Sequence, residues 1–287
     1  MSATFGELGR LLDRSRDLEQ ELHRMLGGDE IQLHDDSTRT LVTLSAAQTS
    51  MEHGVALRAL LAHPLPTAGI SMMRLQHEAL TRAAWLLYAA SEEQIARLVA
   101  PLDAAAEKAA SKLPMAKTML DDIVGKAPHG AVEMLTHFKD VNAPALHSFV
   151  HGGIHAIQRG LTGYPVELLA NVVRSSNGLY TMAGMLLAIL SGDEALAKRM
   201  SKIQPRFADC LPPLIAPRGQ ARNVMRGSNQ PAAGADLMAQ SVVRSRHRLQ
   251  PPFPVYPHVY PPKSPIPETQ HPCGFPADLP EQVQNIE

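Results

Sequence analysis

His147, His151 and His155 recur at four-residue intervals in a run that also holds Ser148, Gly152 and Gly153. Histidine changes charge near neutral pH, relays protons and ligates metals. On one continuous helix the positions i, i+4 and i+8 share a face. The spacing therefore predicts a helix from Pro144 to Gly160 with three imidazoles on one stripe. Three chemistries fit that pattern. His147 and His151 can present two nitrogens to one zinc ion, although the third histidine lies too far along and the helix holds no carboxylate to complete the shell. One histidine can act as a general acid or base beside Ser148 or an arginine. Alternatively, all three bond across the interior while Gly152-Gly153 admits a neighbouring helix.

A second constellation is Arg74, Glu78 and Arg82, again at i, i+4 and i+8, with His77 and Trp85 alongside. The spacing predicts an Arg–Glu–Arg ladder along one helix. Met73, Leu80, Ala84, Leu86, Leu87 and Tyr88 surround it with apolar side chains, so the charges are expected to be paired or to build a polar pocket. Arginine forks suit phosphate; an ion-pair network that merely ties helices together fits equally well. Other chemistries are poorly supported. Ser148 follows no strand–turn–helix elbow, and Gly152-Gly153 lacks the Lys-Ser/Thr ending of a phosphate loop. The basic cluster at residues 245–248 reads as a solvated patch.

The elements that must carry these residues are helical throughout. Phe5 to Met25 keep helical spacing and stop at Gly27-Gly28; a second helix runs from Ser37 or Thr38 to His63, ended by Pro64 and Pro66; a third opens at Thr67 and reaches about Ala90. Ser91-Glu-Glu-Gln94 and Ser191-Gly-Asp-Glu194 both read as capping boxes. The first starts a helix that bends or restarts at Pro101 and stops near Pro114. Short helices are expected over 115–124 and 131–139. Pro165 opens a long apolar helix to Leu190, followed by a last one toward Ile203. No segment alternates like a strand.

Among the 287 residues, 45% are hydrophobic but only 4% aromatic, so Leu, Ala and Met build the core. A formal net charge of −1 supplies no global attraction to nucleic acid or anionic membrane. No apolar run approaches the roughly 20 residues of a membrane span, and the first residues lack a signal-peptide pattern. A cytoplasmic location is expected. Cys210 and Cys273 suggest neither a disulfide framework nor a thiolate site. Sixteen of the 23 prolines lie from Pro205 onward. The expected organisation is thus an all-α, multi-helix bundle over residues 1–204 and a disordered, proline-rich tail over 205–287.

The paired motifs Arg74-x3-Glu78-x3-Arg82-x2-Trp85 and Ser148-Phe-Val-His151-Gly resemble those of uncharacterised bacterial all-helical proteins, over roughly Ser37 to Ile203. They are also distantly similar to the HEPN helical superfamily, whose ribonuclease members place an arginine four to six residues before a histidine. Ala145, Leu146 and His147 occupy those positions here. The resemblance therefore implies that Arg74 or Arg82 substitutes from the other helix. It implies a toxin or phage-defence type ribonuclease, with His151 as general acid or base, Arg74 and Arg82 on the scissile phosphate and Glu78 orienting an arginine. No cofactor and no metal are expected. RNA and a second copy of the chain are the expected partners, and neither a membrane nor a specific DNA sequence is. The rival is a non-catalytic module for dimerisation or protein interaction, locked by a structural His/Arg/Glu network.

Overall fold

A computed structural model of the chain describes residues 5–28, 31–101 and 113–213. Ordered along the chain are α1 (Phe5–Met25), α2 (Thr38–Ala62), α3 (Pro66–Tyr88), α4 (Glu92–Leu98), α5 (Ala116–Asp122), α6 (His129–Val150), α7 (Ile154–Thr162), α8 (Val166–Leu190), α9 (Glu194–Met200) and α10 (Ile203–Arg206). No strand occurs among the described residues. The all-α bundle is the observed architecture. None of these helices is long and apolar enough to cross a membrane. The expected disorder of residues 214–287 and a helix restarting over 102–112 lie outside the described residues; α4 itself ends at Leu98, before Pro101, rather than bending there.

Helix starts follow local chemistry closely. Ser37 caps α2 by accepting from the Thr40 amide, and Pro66 occupies the first turn of α3, where its missing N–H costs nothing. Ser91 and Gln94 form a complete reciprocal capping box on α4. At the other end of α3, Arg39 donates to the carbonyls of Leu86 and Ala90 and to Glu92, satisfying acceptors that the helix leaves open.

α2 and α3 pack along their lengths as a hairpin, α8 lies against both, and α1 covers α8. Ile70, Met73, Trp85, Leu57, Val173 and Ala183 fill the space between them. One polar residue sits at the centre. Gln76, fully buried, donates from Nε2 to the Ser176 carbonyl and accepts from Ser176 Oγ, while its own carbonyl accepts from Ser50 Oγ. These bonds join α2, α3 and α8 and leave the amide satisfied, as burial demands. Gly54 permits the approach: a Cβ there would stand 2.7 Å from Gln76 Nε2. Trp85 Nε1 donates to Asp122, tying α3 to α5.

Three expectations need correction. The histidines do not share one helix. α6 runs on through Pro144 and ends at His151, where Gly152 takes a left-handed φ of +63° and the Gly153 amide bonds the Ser148 carbonyl at 2.7 Å. That 6→1 bond is a Schellman closure. Pro144 does not open a helix because the buried stripe Leu135, Ala145, Leu146 and Phe149 holds both sides of it to the core, while Pro144 and Asp140 face solvent, where the freed carbonyl meets water. Second, α9 is capped by Asp193, which accepts from the Ala195 amide; Gly192 at φ +68° keeps Ser191 as the end of α8. Third, the packed chain does not stop at residue 204. Phe207, Cys210 and Leu211 are buried, and the Cys210 carbonyl accepts from the Asn177 amide.

Those last residues are part of the core, so Phe207→Ala should lower stability by roughly 3 kcal/mol in denaturant titration. A chain ending at 204 should melt below one ending at 213. Equal transitions for the two truncations would restore the earlier boundary.

Candidate functional site

The two motifs meet where the middle of α3 faces the C-terminal half of α6. Arg74 donates from Nε to Glu78 Oε1 at 2.7 Å, one turn along α3, and from Nη1 to His147 Nδ1 at 2.7 Å across to α6. A guanidinium can only donate. His147 Nδ1 must therefore accept, and the neutral imidazole carries its proton on Nε2. His147 is exposed, so that Nε2–H is available to a ligand. The His151 ring lies tilted against the His147 ring with centroids 4.4 Å apart, on the exposed cap residue of α6.

Arg74 and Glu78 are part-buried, with side chains 28% and 35% exposed, so the pair is neither sealed nor fully screened. Arg82 is exposed and two turns farther along α3, about 12 Å along the axis. No ion pair joins it to Glu78, so the expected three-membered ladder is a single pair. The structure thus brings Arg74, Glu78, His147 and His151 together and leaves Arg82 apart. It is His147, rather than His151, that touches the arginine.

His155 turns away from this group. Its backbone amide donates to Ser148 Oγ at 2.8 Å, and its ring faces Phe149 at 6.4 Å. The Ser148 hydroxyl therefore serves as an acceptor for the first turn of α7, and a Cβ on Gly153 would come within 2.8 Å of it. Tyr164 beyond α7 bonds Thr67 at the start of α3 at 2.5 Å. Among the described residues no group of three or more His, Cys, Asp or Glu side chains is placed to hold a metal ion.

Two features escaped the sequence pattern. His77, one turn from Arg74, is only 6% exposed; its Nε2 donates to the Leu135 carbonyl at 3.0 Å and its ring stacks on Phe138 at 4.7 Å. Burial pushes its pKa below the ordinary 6.5, with Lys139 acting in the same direction and the Leu135 bond and Glu78 opposing. Met73 and Leu80, about one helical turn to either side, were the available signal. The other is a cavity of about 270 Å³ between α3, α6 and α8, lined by side chains that include Tyr88, Met134, Met182, Met185, Leu186 and Ile189. The 3- and 4-residue spacing along α8 marked that face as apolar without showing that it is incompletely filled. None of the four site residues lines it.

A family model described as a family of unknown function, DUF6988, matches residues 47–213, and the chain belongs to that family. The matched span holds α3, α6 and every site residue above, and ends at the last described residue. No curated protein and no solved structure matches the chain.

Because His77 is uncharged in the fold and freely titrating when unfolded, the unfolded chain takes up its proton first as pH falls. The contribution of His77 is complete above about pH 6.5 and declines below it toward the lowered folded value. Melting temperature should fall over that range, and His77→Gln should flatten the fall at the cost of a lower plateau. An unchanged slope in the variant would contradict the assignment.

Proposed function

Starting from membership of an uncharacterised family, we propose that the Arg74–Glu78–His147–His151 group is a metal-independent RNA-cleaving site. The observation that carries this reading is the Arg74-to-His147 bond, because it aims an arginine and an imidazole Nε2–H at the same exposed patch beside a second, unengaged imidazole. In this reading His151 removes the proton from a ribose 2′-hydroxyl, whose oxygen attacks the adjacent phosphorus. The bond to the 5′-oxygen breaks, and that oxygen leaves with a proton returned by the protonated His151 or by water. Arg74 and His147 donate to the non-bridging oxygens as their charge rises. Glu78 holds the guanidinium in orientation. Arg82, two turns away, meets a neighbouring phosphate rather than the scissile one.

A second reading has its own support. The Glu78–Arg74–His147 chain and the His77–Leu135 bond both tie α3 to α6, so the group also fits a purely structural clasp in a module that binds a partner. The two readings diverge in mutants. Cleavage predicts that wild-type protein degrades RNA in the presence of EDTA. His151→Ala should then lower the rate roughly a hundredfold or more while leaving the melting temperature unchanged, since that side chain is exposed. Arg74→Ala should abolish most activity as well. Absence of RNA degradation by purified wild-type protein, with both variants altering only thermal stability, overturns the enzymatic reading in favour of the clasp.

A further inference from the structure

A second cavity of about 360 Å³ opens between the end of α1, the end of α9 and α10, lined by Glu21, Arg24, Met25, Arg199, Lys202 and Arg206. Four cationic side chains thus face one carboxylate. Glu21 is 6% exposed and forms the floor. Its Oε1 accepts from Arg206 Nη1 at 2.5 Å and its Oε2 pairs with Arg24, so a guanidinium from α1 and one from α10 are anchored at one point. Arg206 is fixed further by its own carbonyl, which accepts from Arg14 Nη2 at 2.8 Å. The remaining cations are less well matched. Arg199 approaches only Asp193, at 3.7 Å, and Lys202 has no carboxylate partner among the described residues. Assembling like charges around a cavity is unfavourable unless a counter-charge enters.

From this arrangement we infer that the α1/α9/α10 cavity binds a phosphate-bearing ligand through Arg24, Arg199, Lys202 and Arg206. Arginine forks match phosphoryl oxygens in pairs, and a phosphate group brings more charge than a carboxylate. The buried Glu21 holds two of the four cations in place before the ligand arrives, which lessens the ordering cost of binding. The cavity is wide enough to take more than a single phosphate group. Two sources supply that chemistry: a free diphosphate or triphosphate, and the backbone of an RNA strand. The site shares no residue with the Arg74–His147 group, so this inference stands or falls separately from the cleavage reading.

The test uses the full chain, with inorganic pyrophosphate and a short single-stranded RNA as probes, in calorimetry at low salt. Arg199→Ala/Lys202→Ala removes two exposed cations without touching the Glu21 anchor; Arg16→Ala, an exposed arginine of α1 outside the cavity, is the charge control. Pyrophosphate should bind wild type and the control alike and bind the double variant roughly tenfold or more weakly, with affinity falling as salt rises. RNA binding weakened by the same variant and competed by pyrophosphate identifies the strand backbone as the source. Pyrophosphate binding with RNA unaffected identifies a free phosphate ligand. Failure of both probes to bind, or equal losses in the double variant and the Arg16→Ala control, overturns the inference.

Discussion

The arrangement depends above all on how α3 is shared. One side of this helix is given to α2 and α8 through the satisfied Gln76 amide, and another to α6 through His77 and Arg74. A buried amide whose nitrogen and oxygen both have partners fixes rotation and register, because a slip of one residue leaves donors and acceptors stranded in the core. With α3 so fixed, Arg74 and Glu78 emerge on adjacent turns of one face, with Arg74 opposite the end of α6. The contact to His147 then requires α6 to stay helical past Pro144 and to stop at His151. Both conditions come from packing: the apolar stripe from Leu135 to Phe149 sustains the helix, and Gly152 ends it.

That termination gives the histidines different tasks. His147 sits in the last full turn and meets the arginine. His151, at the cap, is freed from the helix and packs beside His147. His155 belongs to the next helix and points toward Phe149. Even spacing in sequence has become three environments, and only two of them face the same patch.

Much of the fold was legible in residues whose effect is local. Ser37, the Ser91/Gln94 box and Pro165 act within one turn of themselves, and each marks the element it was expected to mark; Pro66, expected to end α2, instead begins α3, one residue before the expected Thr67. Signals that depend on distant packing were not legible. Pro144 reads as a helix start unless the solvent exposure of its carbonyl partner is known. Ser191 reads as a cap unless Gly192 is known to be left-handed. Gly152 and Gly153 read as room for a neighbour, whereas one ends α6 and the other makes space for the Ser148 hydroxyl. The proline-rich composition hid the anchoring of Phe207 and Leu211. For the site, the pairing of α3 with the histidine segment was implied by the paired-motif resemblance rather than by residue types alone. Which histidine meets the arginine was not, since that follows from the helix stop.

The central claim is that Arg74 donates into His147 Nδ1 and so organises the exposed patch. Nitrogen-15 NMR of the histidine side chains tests it most directly. The account predicts that neutral His147 is the Nε2–H tautomer in wild type and loses that bias in Arg74→Ala. A predominant Nδ1–H tautomer, or a His147 signal indifferent to the loss of Arg74, would contradict it.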